Sequence, residues 1–144
     1  MSTSDIYNSV QINERLTTAG QPTEEQLRAA ADEGFTAIVN LVPPDSVNGL
    51  PDEAGLVREL GLDYVHIPVD WHNPTDTDFD DFVAAMDRLS PGKVLIHCAA
   101  NYRVTAFYGL YAQKRLGWTE VEAEALRARI WEGDYPVWEA FIRR

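Results

Sequence analysis

The chain reads as an α/β protein, with a mostly parallel central sheet flanked by helices on both faces. Three observations predict this. The mostly apolar runs "FTAIVNLV" (35–42) and "KVLIH" (93–97) have the pattern of strands buried on both sides. Between such runs stand segments with apolar residues at helical spacing, such as Phe79, Phe82, Val83, Met86 and Leu89. Strands that alternate with helices pair in parallel, because each helical crossover returns the chain to the end of the sheet where the preceding strand began. With 144 residues, 45% hydrophobic content and four Trp, six Tyr and five Phe, the chain is expected to form one globular domain over 1–144.

Taken in order, "VQINERLTTAG" (10–20) holds two short β-like stretches that predict a hairpin or sheet edge. Thr23 with Gln26 spells a capping box, so a helix opens there and stops at Gly34. The strand over 35–42 leads into "PPDSVNGLP" (43–51), a loop of turn formers and a candidate for mobility. A helix over about 52–60 ends at Gly61, and "DYVHIPV" (63–69) is the next strand. "DWHNPTDTD" (70–78) is a polar loop, followed by a helix from about Thr77 to Leu89. Pro91-Gly92 turns the chain into the strand 93–97, and a helix over about 103–116 ends at Gly117. A second capping box, Thr119 with Glu122, opens a helix over 119–131, and the last helix spans about 136–141.

A formal net charge of −11 argues against nucleic acid and anionic membranes as partners. No apolar run is long enough to cross a bilayer, and "MSTSDIYNSV" lacks the basic and apolar regions of a secretion signal. The single cysteine excludes an intramolecular disulfide and suits a reducing cytoplasm.

That cysteine stands in "VLIHCAANYRVTAF" (94–107), where a buried strand ends at His97-Cys98 and a helix follows within a few residues. The first N–H groups of a helix lack internal partners and carry partial positive charge, so a tight loop there cradles an anion. Such a field favours a thiolate at Cys98. Arg103 adds a planar, permanently charged fork suited to two phosphate oxygens. Asn101 is one of the few residue types that tolerate the left-handed backbone a turn around an anion requires.

These residues resemble the cysteine-dependent phosphatases, above all the dual-specificity branch. The ordered set "TTAGQPTEEQL", "GFTAIVNL", "GLDYVHIPV" and "HCAANYRVTAF" is more similar still to the DUF442, or beta-lactamase-hydrolase-like, phosphatase domain, over about residues 10–116. The resemblance implies the cysteine-phosphatase fold and phosphomonoester hydrolysis through a phosphocysteine, with neither metal nor cofactor. By position it assigns Cys98 as nucleophile, Arg103 as phosphate clamp and Asp70, which opens the loop "DWHNPT", as general acid. Ala99, Ala100, Asn101, Tyr102 and Val104 fall in the phosphate-binding loop. His97 is expected to fix the loop backbone, and Thr105 to donate a hydrogen bond to the departing thiolate. Asp76 and Asp78 read instead as helix-start caps.

The family pattern has five residues between Cys and Arg, a glycine third in the loop, and Ser or Thr directly after the arginine. Here there are four, the third is Asn101, and Val104 precedes Thr105. One inward N–H fewer and a narrower cradle imply reduced turnover, since misplacement by about 1 Å costs about a hundredfold. Two alternatives stay open. Sulfurtransferases of the rhodanese type also use a four-residue gap, which makes a Cys98 persulfide chemically sensible. A degenerate phosphatase scaffold that only binds an anion or phosphopeptide is the other.

The substrate expected is a phosphorylated small molecule or phosphoprotein, and a single formal positive charge in the loop suits one phosphate better than several. Trp71 and Tyr102 are candidates for the pocket wall. Gln21 reads as a turn former before the capping box, and His66 and His72 as surface or hydrogen-bonding residues without a metal. Trp118, Trp131, Tyr135, Trp138 and Phe141 recur at helix-like intervals and are expected in the core. The oligomeric state is not encoded in any of these patterns.

Overall fold

The computed structural model describes residues 2–44, 46 and 49–144. After a short 3-10 turn at Thr3–Asp5, the strands are β1 (Val10–Asn13), β2 (Leu16–Ala19), β3 (Ala37–Asn40), β4 (Asp63–His66) and β5 (Val94–His97). The helices are α1 (Glu24–Asp32), α2 (Glu53–Glu59), α3 (Asp76–Leu89), α4 (Tyr102–Arg115), α5 (Glu120–Ala128) and α6 (Pro136–Arg143). One five-stranded sheet runs in the order β1-β2-β5-β3-β4. The β1–β2 hairpin is antiparallel and every other pairing is parallel.

Both faces of the sheet are covered, as the apolar runs require. Side chains alternate across a strand. In β5, Val94 and Ile96 therefore join one cluster while Leu95 joins the other. On the first face α3, α4 and α6 pack Phe82, Phe107 and Trp138 against the sheet. On the second, Leu27 of α1 and Val57 of α2 meet Ile38 and Leu95. Full burial of each such side chain contributes about 1.5–3 kcal/mol, so this two-sided pattern sets the register.

Element ends differ from the expected ones for local reasons. The strand expected over 35–42 shortens to Ala37–Asn40 because the Val42 N–H turns to Oδ1 of Asn40 at 2.8 Å. The strand expected over 63–69 ends at His66, since Pro68 has no N–H to offer; Ile67 and Val69 still donate to Asn40 and Leu41 at 2.9 and 3.0 Å. The helix expected to reach residue 131 ends at Ala128, where Arg129 and Ile130 switch to carbonyls three residues back.

The Thr23–Gln26 and Thr119–Glu122 capping boxes form as spelled. A third is built from Thr75 and Asp78, so Asp76 is the first helical residue of α3 and not its cap. Within the loop expected over 43–51, Asp45, Val47 and Asn48 lie outside the described residues. Among the described residues no helix is long and apolar enough to cross a membrane.

Candidate active site

Strand β5 lies at the centre of the sheet between β2 and β3, and Cys98 follows it at the carboxyl end of the parallel strands, where such sheets place ligands. The Cys98 N–H donates to Ala19 O at 3.2 Å. The chain then bends through Asn101, whose φ of +70° places it in the left-handed region, and enters α4 at Tyr102.

The bend is held from the amino-terminal side. The Asn101 side-chain amide donates to Asn8 O at 2.8 Å and to Thr18 Oγ1 at 3.0 Å, while the Asn8 amide donates to Ala100 O at 3.1 Å. The Gln21 N–H reaches Ala99 O at 3.0 Å. Gly20 makes this approach possible, because a Cβ there would stand 2.8 Å from both Ala99 O and Tyr7 O.

Cys98, Ala99, Ala100, Tyr102 and Arg103 line one cavity of about 280 Å3, together with Tyr7, Trp71 and Tyr135. Arg103 is 8% exposed, and its Nη1 donates to Val69 O at 2.8 Å. The loop after Val69 is tied down again where Trp138 Nε1 donates to Trp71 O at 2.8 Å and the two indoles stack. The walls of the cavity are aromatic: Tyr135 meets both Trp71 and Tyr102 edge-on, with ring centroids 5.4 Å apart in each case.

The remaining expected residues fall outside the cavity. Asp70 is exposed, and its Oδ1 accepts the His72 N–H at 2.9 Å. Val104 sends its side chain into the core, so only its backbone N–H belongs to the loop. The Thr105 hydroxyl donates to Asn101 O at 2.8 Å and accepts Trp131 Nε1–H at 3.1 Å. In this arrangement it serves the start of α4. Tyr135 and Trp131, expected in the core, are half-buried against it and also build the cavity: Tyr135 lines it and Trp131 stacks on Tyr102. His66 pairs with the Val42 carbonyl, and His72 is exposed. Among the described residues, no three His, Cys, Asp or Glu side chains gather where a metal ion would be held.

Beneath the loop lies a pair the sequence reading missed. His97 Nε2 stands 2.6 Å from Glu53 Oε2, and the two side chains are 0% and 5% exposed. Gln21 Nε2 donates to Glu53 Oε1 at 3.0 Å, so Gln21 does more than form a turn. Burial pushes the Glu53 carboxyl up, but the hydrogen bond and charge of His97, with bonds from Gln21 and Tyr64, hold it below the ordinary glutamate range. The signal was present: Glu53 shares the buried face of α2 with Leu56 and Val57, at spacings of three and four.

A family model described as a polymorphic toxin system, DSP-PTPase phosphatase, matches residues 14–107. A beta-lactamase hydrolase-like protein of Xylella fastidiosa is 34% identical over 119 residues, which are 79% of this chain and 27% of that protein. The chain thus spans about a quarter of the length of the curated relatives it matches. A solved DUF442 structure from Shewanella putrefaciens CN-32 superposes with a TM-score of 0.89 at 36% identity, covering 97% of this chain and 91% of that one. TpbA of P. aeruginosa, solved in complex with pTyr, shares the fold, with a TM-score of 0.78 at 15% identity over 99% of this chain and 86% of that one. With a family model matched over most of its length and a DUF442 relative alike from end to end, the chain belongs to the cysteine-phosphatase superfamily, as a DSP-PTPase domain of the DUF442 kind.

Proposed function

We propose that the protein hydrolyses phosphate monoesters through a phosphocysteine on Cys98. The observation that carries this reading is that Cys98 and Arg103 face one cavity, joined by a loop that leads into the first turn of α4. In the first step the Cys98 thiolate attacks phosphorus and the bond to the leaving oxygen breaks. The guanidinium of Arg103 and the loop N–H groups hold the three remaining phosphate oxygens, where charge builds in the transition state. Arg103 has five N–H donors, so its bond to Val69 leaves others for phosphate.

Asp70 is the proposed acid that protonates the leaving oxygen, and then the base that takes a proton from the water attacking phosphocysteine. Its two neighbours are both at the site, since Val69 accepts from Arg103 and Trp71 lines the cavity. A swing of the carboxyl from the His72 N–H toward the cavity completes the assembly.

The substrate proposed is a singly phosphorylated group with an aromatic or other flat body. Tyr7, Trp71, Tyr102 and Tyr135 wall the cavity, and Arg103 is the one cation among its lining residues. The pTyr bound by the fold relative TpbA fits the same chemistry. A net charge of −11 disfavours nucleic acid or an anionic membrane as partner.

The test is hydrolysis of p-nitrophenyl phosphate by wild type and Cys98→Ser in the presence of chelator, beside sulfur transfer from thiosulfate to cyanide. Phosphate release that disappears in Cys98→Ser is expected. Asp70→Asn should slow the first step, most with poor leaving groups. Equal phosphate release by wild type and Cys98→Ser overturns the mechanism, and sulfur transfer without phosphate release moves the protein to persulfide chemistry.

A further inference from the structure

The buried pair Glu53–His97 takes no part in the steps above, yet it adjoins the nucleophile. Glu53 opens α2 and His97 ends β5, and their side chains meet at 2.6 Å with almost no exposure. Replacing a buried ion pair by well-packed apolar groups is often neutral or stabilising, so stability is a weak reason for this one. The ring's second nitrogen, Nδ1, stands 3.4 Å from the carbonyl oxygen of Cys98. A carboxylate and a carbonyl only accept hydrogen bonds, so an imidazole placed between them satisfies both by carrying a proton on each nitrogen. Gln21, donating to the other carboxylate oxygen, fixes the orientation of Glu53.

We propose that Glu53 is a positioning residue that keeps His97 protonated beneath Cys98, so that the ring holds the Cys98 carbonyl and turns the positive end of the pair toward the loop. The charge has a use in this chain, because a Cys-to-Arg gap of four residues offers an anion one N–H fewer than a gap of five.

The other groups around the pair are few. Tyr64 of β4 hydrogen-bonds Glu53, and Arg58 of α2 lies near Tyr64. On the sulfur side stand Arg103, Tyr7, Tyr102 and Tyr135, with Asp70 on the adjoining loop. None of them duplicates the contact of His97 with the Cys98 carbonyl.

The inference rests on Cys98 as the reactive thiol, and its test does not need turnover. The rate of Cys98 alkylation by iodoacetamide is measured against pH in wild type, Glu53→Gln and Glu53→Asp. Glu53→Gln keeps the shape and a hydrogen-bonding oxygen but removes the charge. Its curve is expected to move to higher pH, with the rate at pH 6 about tenfold lower and the high-pH plateau unchanged; Glu53→Asp restores part of the loss. A merely structural role lowers the melting temperature without moving the curve, so an unmoved curve in a folded Glu53→Gln overturns the proposal. If that variant fails to fold, 15N NMR of the wild-type His97 ring decides: a proton on both nitrogens at neutral pH supports it, and a bare nitrogen overturns it. A displaced alkylation curve in a protein without phosphatase activity ends the hydrolase reading and leaves this one standing.

Discussion

Arg103 reaches from the first turn of α4 to the backbone carbonyl of Val69, 2.8 Å away, and so joins the loop after Cys98 to the segment that carries Asp70. One guanidinium thereby faces the cavity and braces its wall. Lysine keeps the charge but not the fork. Arg103→Lys is expected to lower kcat/KM for p-nitrophenyl phosphate about a hundredfold or more. The lost bond to Val69 should cost about 1–2 kcal/mol in denaturant unfolding. Kinetics and a urea titration on one preparation check both.

Gly20 packs its Cα against the loop so closely that a methyl group would meet Ala99 O and Tyr7 O at 2.8 Å each. Both atoms are backbone, so one of the two strands of chain has to move. Gly20→Ala is expected to cost about 1–3 kcal/mol and, by displacing the loop by a fraction of an ångström or more, up to about a hundredfold in kcat. Thermal unfolding and steady-state rates measure the two effects.

Asn101 combines a left-handed backbone with two side-chain hydrogen bonds, to Asn8 O and Thr18 Oγ1. Asn101→Gly loses the bonds but accepts the backbone, whereas Asn101→Ala loses both. The alanine variant is expected to be about 1 kcal/mol less stable than the glycine variant, and both less stable than wild type. Equal stability of the two variants would show that the backbone angle is not a constraint.

Glu53 ties stability to pH. Its carboxyl sits below the ordinary glutamate range when folded, so the folded state binds its proton less readily than the unfolded chain. The contribution is full above the ordinary range and is lost as pH falls through the lowered folded value. At neutral pH Glu53→Gln should lose about 3 kcal/mol, as expected when one partner of a buried pair is removed. The gap in melting temperature between wild type and variant should then shrink on acidification. A gap that stays constant into strong acid contradicts the assignment.

What the sequence disclosed follows the range of the interactions involved. The strands β3 and β5 were legible because parallel strands covered on both faces are nearly continuous apolar runs, and the capping boxes at Thr23 and Thr119 because each is complete within four residues. Cys98, Asn101 and Arg103 were legible because the loop is contiguous in the chain. Tyr7, Asn8, Glu53 and Tyr135 reach the site only through tertiary packing; the helical period of α2 marks Glu53 for burial but does not name His97, dozens of positions away, as its partner. The indole of Trp131 explains the fate of Thr105 in the same way: its Nε1–H is delivered from beyond α5 to a hydroxyl in α4.

The cavity takes one wall from Tyr7 and another from Tyr135, far apart in the chain, with the loop at Cys98 between them in sequence. During synthesis Cys98 is therefore joined to the chain before the Tyr135 wall exists. Contacts of such long sequence separation form late in folding, after the local helices and hairpin. The cavity is thus complete only once the segment around Tyr135 is translated and docked, and a chain cut before it would lack that wall.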